Sequence, residues 1–262
     1  MAKPDWIELP GAEPIPILYE DRSVLAIDKP AGWLLVPVHW QRTARNLQAA
    51  LESSVRAGDW WARSRGLKYL RFVHRLDGET SGVLLLAKSP GALTACSRLF
   101  QTGQVEKVYL AVVAGEPKQS EWTCRWKLAP DRRHPGRVRV DPRHGKEAET
   151  QFRVLARRAG RALIECRPRT GRTHQIRVHL AEAGLPVLGD DLYGRGEGAG
   201  PLALRAIRLA YRDPFTRRAV DIRAPWSQFL LQHGFEELNC PGDSDSADER
   251  HEHRASNGTH RE

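Results

Sequence analysis

The sequence predicts an α+β fold with a mixed or largely antiparallel sheet in one domain. Hairpin-like strand pairs are separated by single helical segments, without a regular strand–helix–strand repeat and without internal sequence repeats. The chain has 262 residues, of which 40% are hydrophobic and 28% are charged, which is ordinary for a globular enzyme. This length allows one large domain or two small ones, and the mixed order of the elements favours one.

The first elements are two short strands and a helix. Residues 17–27 read as two strands separated by a polar turn. Residues 43–57 have apolar side chains at helical spacing, with Thr43 as the expected N-cap and Gly58 as the stop. The segment 59–70 is expected to be a loop.

A second group of elements follows a polar turn. The apolar run Val83–Ala87 fits a strand that is buried on both faces. Ser89 is the expected N-cap of a helix over 90–101, which has proline at its first position. Residues 107–114 predict a strand, and the basic, turn-rich segment 117–150 predicts a strand pair and an exposed loop.

The last third predicts strands around one helix. Residues 150–169 alternate as a hairpin with its turn at 159–160, and residues 170–184 contain a glycine turn followed by a helix. Residues 201–225 give two strands around an Asp-Pro turn. From Cys240 onward the polar composition without aromatic residues predicts disorder.

The charge of the chain indicates a polyanionic partner. There are 41 Lys and Arg against 32 Asp and Glu, a net charge of +9. Residues 241–262 hold six acids and three arginines, so the preceding 240 residues carry +12. Arginine dominates the excess, and its planar fork suits phosphate. The simpler alternative is a basic protein without such a partner.

The sequence gives little support for a metal site, a disulfide framework, a membrane-spanning segment or a signal peptide. The four cysteines are scattered and form no C-x-x-C pair, so we expect free thiols and no metal site. No apolar run approaches the roughly 20 residues that span a bilayer, and the N-terminus has no signal-peptide core. These observations predict a cytoplasmic protein.

The stretch "HRLDGETSGVLLLAK" carries the first candidate site. Asp77 stands at the lip of the apolar strand, where a lone Asp is ordinarily a turn or cap residue. Its neighbours could instead make it reactive. The hydroxyls of Thr80 and Ser81 could fix the turn, and Gly78 and Gly82 could admit a ligand. The cations His74 and Arg75 could favour a charged carboxylate. The residues alone leave the structural and catalytic interpretations equal. A kinase catalytic loop is excluded, because it needs Asp directly after Arg.

The stretch "RPRTGRTHQIRVH" is the second candidate. Six of its residues are basic when histidine is counted: Arg167, Arg169, Arg172, His174, Arg177 and His179. A glycine turn and a helix start among arginines favour phosphate binding over a solvated basic turn. Ile176, Leu180 and Ala183 are expected on one helix face, and Thr173, His174 and Arg177 on another. Tyr109, inside an apolar strand, reads on its own as a core residue.

In combination, these motifs resemble the RluA-type pseudouridine synthases. "HRLDGETSGVLLLAKS" resembles the family's H-R-L-D-x-x-T-S-G motif, and three further blocks follow the family's order: "ILYEDRSVLAIDKPAG", "VEKVYLAVVAG" and "RTGRTHQIRVHLAEAGLPVLGDDLYG". The resemblance covers about Ile17 to Pro225. It implies a mixed, mainly antiparallel sheet flanked by helices and loops, with an active-site cleft across the sheet.

The resemblance also implies roles for individual residues. Asp77 matches the catalytic aspartate, and Tyr109 matches the tyrosine that stacks on the target base, which replaces its reading as core alone. Arg177 matches the basic residue that pairs with the carboxylate, with Arg172 as the alternative, and Arg75 matches an arginine that enters the RNA. The implied substrate-binding residues are His74, Arg75, Thr80, Arg172, His174 and Gln175.

The implied activity is the isomerisation of a uridine to pseudouridine in structured ribosomal or transfer RNA. The base must be flipped out of the RNA, and no cofactor, metal, dinucleotide or membrane is required. Asp77 could attack C1′, attack the base or remove a sugar proton. A noncatalytic RNA-binding or assembly factor is the competing hypothesis.

The resemblance also divides the chain. Residues 1–16 are an N-terminal extension, 17–239 the catalytic domain and 240–262 the disordered tail. Many members carry an N-terminal S4-type RNA-binding domain, whereas about 16 residues precede the first block here. RNA affinity is therefore expected to come from the catalytic domain, which we expect to be a monomer.

Overall fold

The computed structural model describes residues 2–35, 45–194, 196 and 200–238. The predicted N-cap at Thr43 and the predicted disordered tail lie outside these residues. The chain divides into two compact units, Met1–Ala224 and Pro225–Glu262. Every strand among the described residues lies in the first unit, and the described part of the second holds one helix.

One mixed sheet dominates the first unit. Its strands are β1 (Trp6–Ile7), β2 (Ile15–Glu20), β3 (Val24–Lys29), β4 (Arg71–Phe72), β5 (Ser81–Ala87), β6 (Glu106–Ala114), β7 (Glu121–Cys124), β10 (Thr150–Arg158), β11 (Arg161–Pro168), β12 (Leu204–Arg212) and β13 (Ala219–Arg223). Their order is β1-β2-β3-β5-β12-β6-β11-β10-β7, with β4 beside β5 and β13 beside β12. Among the described residues, only β5 and β12 pair in parallel. The predicted α+β class with a mixed, mainly antiparallel sheet is confirmed.

The remaining elements are short. A separate two-stranded sheet consists of β8 (Leu128–Pro130) and β9 (Val138–Val140), which is the strand pair predicted for the basic segment, whereas β7 of the same segment was not predicted and joins the main sheet. The helices are α1 (Leu47–Ala57), α2 (Trp60–Arg63), α3 (Pro90–Gln101), α4 (Gln175–Glu182) and, in the second unit, α5 (Ser227–His233). Within the described ranges no helix is both long and apolar enough to cross a bilayer.

Strand β5 is buried on both faces, as its continuous apolar sequence predicts. Because side chains alternate along a strand, Leu84 and Leu86 join one hydrophobic core, whereas Val83 and Leu85 join another. A core therefore covers each side of the sheet at this strand. The polar turn before β5 is thus attached to a strand that is packed on both faces.

The loop predicted over 59–70 is wrong in part, because α2 lies within it. Trp61 is buried in the same core as Leu47 and Leu51 of α1, and its indole nitrogen donates to Ser54 Oγ. Packing of one aromatic side chain stabilises this single turn, which is too short to show helical periodicity. Helix α1 itself begins after Asn46, whose side chain accepts from the Ala49 amide.

The first sixteen residues contribute to the sheet and its core. Strand β2 begins at Ile15, two residues before the predicted start, and pairs with β1. Ile7, Leu9 and Ile15 are buried in one core. The domain bounds drawn from the sequence remain a prediction.

Candidate active site

A cleft of about 650 Å³ lies between the turn that precedes β5 and the segment that leads into α4. The floor includes Lys107 and Tyr109 of β6. All nine residues predicted for the site line this cleft: Asp77, Tyr109, Arg177, His74, Arg75, Thr80, Arg172, His174 and Gln175. Segments separated by about 100 residues in sequence thus meet where the sequence motifs predict a common site.

Asp77 is the carboxylate in this cleft, with a partly exposed side chain. Arg177 Nη1 lies 3.6 Å from Asp77 Oδ2, and His174 Nε2 lies 3.9 Å from Asp77 Oδ1. Arg177 comes from the first turn of α4 and His174 immediately precedes that helix, whereas Asp77 comes from the turn before β5. The ion pair orients the carboxylate from the opposite wall of the cleft.

A second carboxylate holds Arg177 in place. Arg177 donates from Nε to Asp190 Oδ2 at 2.7 Å and from Nη2 to Asp190 Oδ1 at 2.6 Å. Burial alone would lower the pKa of Arg177, but the hydrogen bonds and charge of Asp190 raise it overall. Burial would likewise raise the pKa of Asp190, which its bonds with Arg177 lower. The guanidinium is therefore a fixed, permanently charged group that spans the two acids.

His174 is the other partner of Asp77, and its backbone is unusual. It precedes α4 with φ of 53°, a left-handed conformation that is uncommon for a residue with a side chain. Its Nδ1 lies 2.9 Å from the Tyr193 hydroxyl. Burial lowers the pKa of His174, although the charge of Asp77 opposes this. In the neutral tautomer that accepts from Tyr193, the ring proton is on Nε2 and faces Asp77.

The predicted helix faces around His174 need correction. Thr173 and His174 precede α4 and are not on a helix face with Arg177. The residues from Gln175 to Leu180 are all buried, so the first turns of α4 have no solvent face. The reason is that the sheet and the basic segment cover this short helix on more than one side, which a two-faced pattern does not reveal.

A buried lysine, Lys29, holds the turn that carries Asp77. Its Nζ donates to the carbonyls of Pro30 at 3.0 Å, Gly78 at 2.7 Å and Thr80 at 2.9 Å. Burial lowers the pKa of Lys29 to about 8. The sequence suggested that the Thr80 and Ser81 hydroxyls fix this turn. Instead Ser81 Oγ accepts from Arg205 on β12, because Ser81 already belongs to β5.

Two of the predicted substrate-binding residues are engaged within the protein. Gln175 accepts from Thr170 Oγ1 and the Arg172 amide, and donates to Glu149 O and Thr150 Oγ1. Its amide group therefore orders the loop that precedes α4 and has little capacity left for substrate.

His74 is similarly engaged. Its Nε2 accepts from the Leu85 amide at 3.1 Å, and its ring stacks on Phe100 at 4.6 Å. Burial lowers the pKa of His74 to about 3, so the ring is neutral at physiological pH. The geometry favours a supporting role for His74 in the wall of the cleft.

The two other predicted arginines line the cleft and are exposed to solvent. Arg75 is exposed at the mouth of the cleft and also borders a second cavity. Arg172 Nε donates to the Glu147 carbonyl, whereas Arg177 is the arginine that pairs with Asp77. The alternative role considered for Arg172 therefore has no support in the geometry.

Tyr109 belongs both to the core and to the cleft. It lies on β6 opposite Cys166 of β11 and Ala206 of β12, and it packs against a hydrophobic core. Burial, with the nearby charge of Asp77, raises the pKa of its hydroxyl above the ordinary value. A neutral aromatic ring beside the carboxylate can provide a stacking surface for a base.

Comparison with known proteins assigns this arrangement to a family. A model described as RNA pseudouridylate synthase matches residues 23–182, which is more than half of the chain. The chain belongs to the RNA pseudouridylate synthase family. The resemblance inferred from the four sequence blocks is confirmed. The matched range includes Asp77, Tyr109 and Arg177 but ends before Asp190.

Relatives within this family are ribosomal large subunit pseudouridine synthases. Synthase C of Vibrio vulnificus is 36% identical over 224 residues, covering 82% of this chain and 66% of the relative. Synthase D of Borreliella burgdorferi is 34% identical over 192 residues, covering 72% and 58%. Synthase C of Escherichia coli is 36% identical over 226 residues, covering 82% and 67%. The chain thus spans about two thirds or less of the length of these relatives.

Solved pseudouridylate synthases share the fold. Human RNA pseudouridylate synthase domain containing 1 superposes with a TM-score of 0.65 at 27% identity, covering 82% of this chain and 85% of that one. Human RNA pseudouridylate synthase domain containing 4 gives 0.68 at 24% identity, covering 86% and 94%, and supports the fold alone.

Sequence reasoning missed four residues that build the site: Lys29, Lys107, Asp190 and Tyr193. A weak signal existed for two of them. Lys29 is the basic residue at the end of a strand that begins with four apolar residues, and Asp190 lies in the polar "GDDLYG" segment of the last matching block. Neither signal identifies the partner, because the contacts join distant parts of the chain.

Proposed function

We propose that this protein is an RNA pseudouridine synthase that isomerises uridine in structured RNA, with Asp77 as the catalytic carboxylate. The observation that carries the proposal is the Asp77 carboxylate, which lies in a cleft 3.6 Å from a buried arginine. Large-subunit ribosomal RNA is the favoured substrate over transfer RNA, because relatives that are 34–36% identical to this chain are named for it. We further propose a cytoplasmic, monomeric enzyme.

Recognition of RNA would begin with its phosphates. The net charge of +9 and the exposed arginines around the cleft favour association with a polyanion. A uridine within folded RNA must leave its stack to reach Asp77, at a cost of a few kcal/mol. Arg75 at the mouth of the cleft can occupy the vacated position, and stacking on Tyr109, worth roughly 1–3 kcal/mol, can offset the cost.

The reaction breaks the N1–C1′ bond of uridine and forms a C5–C1′ bond. The uracil gives up the proton on C5 and gains one on N1, so the product is an isomer of the substrate. A carboxylate can serve as nucleophile or as base only when it is ionised. Arg177, held by Asp190, would keep the Asp77 carboxylate oriented through attack on C1′, attack on the base or removal of a sugar proton.

The test is pseudouridine mapping of total RNA from cells with and without the gene. We expect one or more pseudouridines to disappear without the gene and to return with the wild-type protein, but not with Asp77→Asn. Persistence of every pseudouridine would contradict the proposal and favour the noncatalytic RNA-binding alternative. In vitro, RNA affinity should fall steeply with salt, because bound phosphates release counterions.

A further inference from the structure

Lys107 is a cation that lines the cleft beside Tyr109. It lies on β6 two residues before Tyr109, so both side chains project from the same face of the strand. Its side chain lines the cleft and is partly buried, and its Nζ donates to the Thr170 carbonyl at 2.9 Å. The ammonium group has three donors, so two remain available for a ligand.

The charge of Lys107 has no carboxylate partner among the described residues. Burial is the sole cause that lowers the pKa of Lys107 to about 8. The neighbouring acid in sequence, Glu106, projects from the opposite face of β6 and pairs with Arg167 and Arg208. The other buried cations of the site differ, since Arg177 pairs with Asp190 and Lys29 is attracted by Glu79 and Asp77.

An uncompensated, partly buried cation is costly unless a bound anion completes it. The groups that face Lys107 within the cleft do not supply that anion: His74 is neutral, and the contact from the loop before α4 is the Thr170 carbonyl. The electrostatics therefore suit a negatively charged ligand at this position.

We propose that Lys107 binds one of the two phosphates that flank the target uridine. The inference rests on the proposed function, in which the uracil stacks on Tyr109. Residues i and i+2 of a strand are separated by about 7 Å, so Lys107 lies close to the Tyr109 ring on which the base would stack. A nucleotide whose base contacts Tyr109 would carry its sugar–phosphate toward Lys107, and phosphates are the anionic groups of RNA.

The flipped nucleotide would therefore be bound at two points. Tyr109 would hold the base and Lys107 the phosphate, both from one rigid strand in the centre of the sheet. Because the base must detach and rotate during the reaction, a contact to the backbone of the nucleotide would retain the sugar when the base contact changes. Lys107 would thus position the substrate without taking part in bond breaking.

The test uses a hairpin RNA that contains the uridine identified by pseudouridine mapping. It is made with ordinary phosphodiesters, and with a neutral methylphosphonate on either the 5′ or the 3′ side of that uridine. Dissociation constants and single-turnover rates are measured for wild type, Lys107→Met and Lys107→Arg. Lys118→Met, at an exposed lysine away from the cleft, is the matched control.

We expect one methylphosphonate to weaken binding to wild type and to Lys118→Met by about tenfold or more. Lys107→Met should bind the ordinary hairpin about tenfold less tightly and should lose nothing further with that methylphosphonate. Lys107→Arg keeps the charge and should restore part of the affinity.

The proposal is overturned if neither methylphosphonate weakens wild-type binding, or if the losses from Lys107→Met and the methylphosphonate simply add. Either result, with wild-type conversion of the hairpin intact, rejects the role of Lys107 alone. If wild type does not convert the hairpin, the proposed function itself fails.

Discussion

Arg177 donates two hydrogen bonds to the buried carboxylate of Asp190 and presents its remaining nitrogen toward Asp77. Asp190 also accepts from the amides of Leu192 and Tyr193, so the segment that follows α4 is ordered around the same carboxylate. One acid thus fixes the arginine that orients the other.

Replacement of Asp190 by Asn should damage both stability and activity. It removes the charge that balances the buried Arg177, and breaking a buried ion pair typically costs about 3 kcal/mol or more. We expect a lower free energy of unfolding and a fall in kcat of at least about tenfold, with little change in RNA affinity. Urea unfolding and steady-state kinetics measure the two effects.

Asp191→Asn is the matched control for this change. Asp191 Oδ1 lies 3.3 Å from Arg177 Nη2, but its side chain is 78% exposed. An exposed ion pair contributes little, so this variant should behave as wild type. Equal effects of the two substitutions would mean that Asp190 is not the positioning residue.

The lowered pKa of Lys29 predicts a pH dependence of stability. Its ordinary pKa of 10.5 falls to about 8 in the folded protein, because the ammonium is buried. Between these values the unfolded chain binds more protons than the folded chain, so a rise in pH stabilises the folded state. From about pH 8 to 10, the difference in unfolding free energy between wild type and Lys29→Met should increase, by at most about 1.4 kcal/mol per pH unit.

Urea unfolding at several pH values checks this prediction, with Lys68→Met at an exposed lysine as the control. The control should follow the wild-type curve. A difference that is constant or decreases with pH would show that burial does not lower the pKa of Lys29 in the folded protein.

Gly82 should tolerate no side chain. It has φ of 111°, and an added Cβ would clash with the backbone carbonyl of Ala206 on β12. Both the backbone conformation and the parallel β5–β12 pairing would be disturbed, at a cost of more than about 2 kcal/mol. Gly91→Ala is the control, because Gly91 lies in α3 with open space around it and alanine favours helix. Thermal unfolding should show a large loss for Gly82→Ala and none for Gly91→Ala.

Tyr109 is expected to act through its ring. Tyr109→Phe keeps the stacking surface and should retain most of the RNA affinity, whereas Tyr109→Leu should lose roughly 1–3 kcal/mol of binding. Equilibrium binding to the mapped hairpin measures both variants. Equal affinities of the Phe and Leu variants would reject stacking as the role of this residue.

The sequence was sufficient where a local pattern determines the structure. The apolar run of β5 predicted a strand buried on both faces, and the motifs around Asp77, Tyr109 and Arg177 predicted residues that meet in one cleft. The β5 prediction follows from the burial of a single segment. The prediction of the site follows from sequence blocks whose order is specific to a family.

The features of the site that the sequence did not predict depend on contacts between distant segments. Lys29 reaches carbonyls about 50 residues away, and Ser81 bonds Arg205 instead of its own turn. The sequence suggests that Gln175 and His74 contact the substrate, but their hydrogen bonds are made with backbone and hydroxyl groups of the protein, most of them distant in sequence. Hydrophobic periodicity carries no information about such pairings.

The most direct measurement is pseudouridine formation by Asp77→Asn on RNA that the wild type modifies. Asn preserves the size of the side chain and removes its charge, so folding and RNA affinity should be close to wild type. We expect pseudouridine formation to be abolished in a preparation free of wild-type enzyme. Turnover by that variant at a rate near wild type would contradict the central claim that the Asp77 carboxylate carries the chemistry.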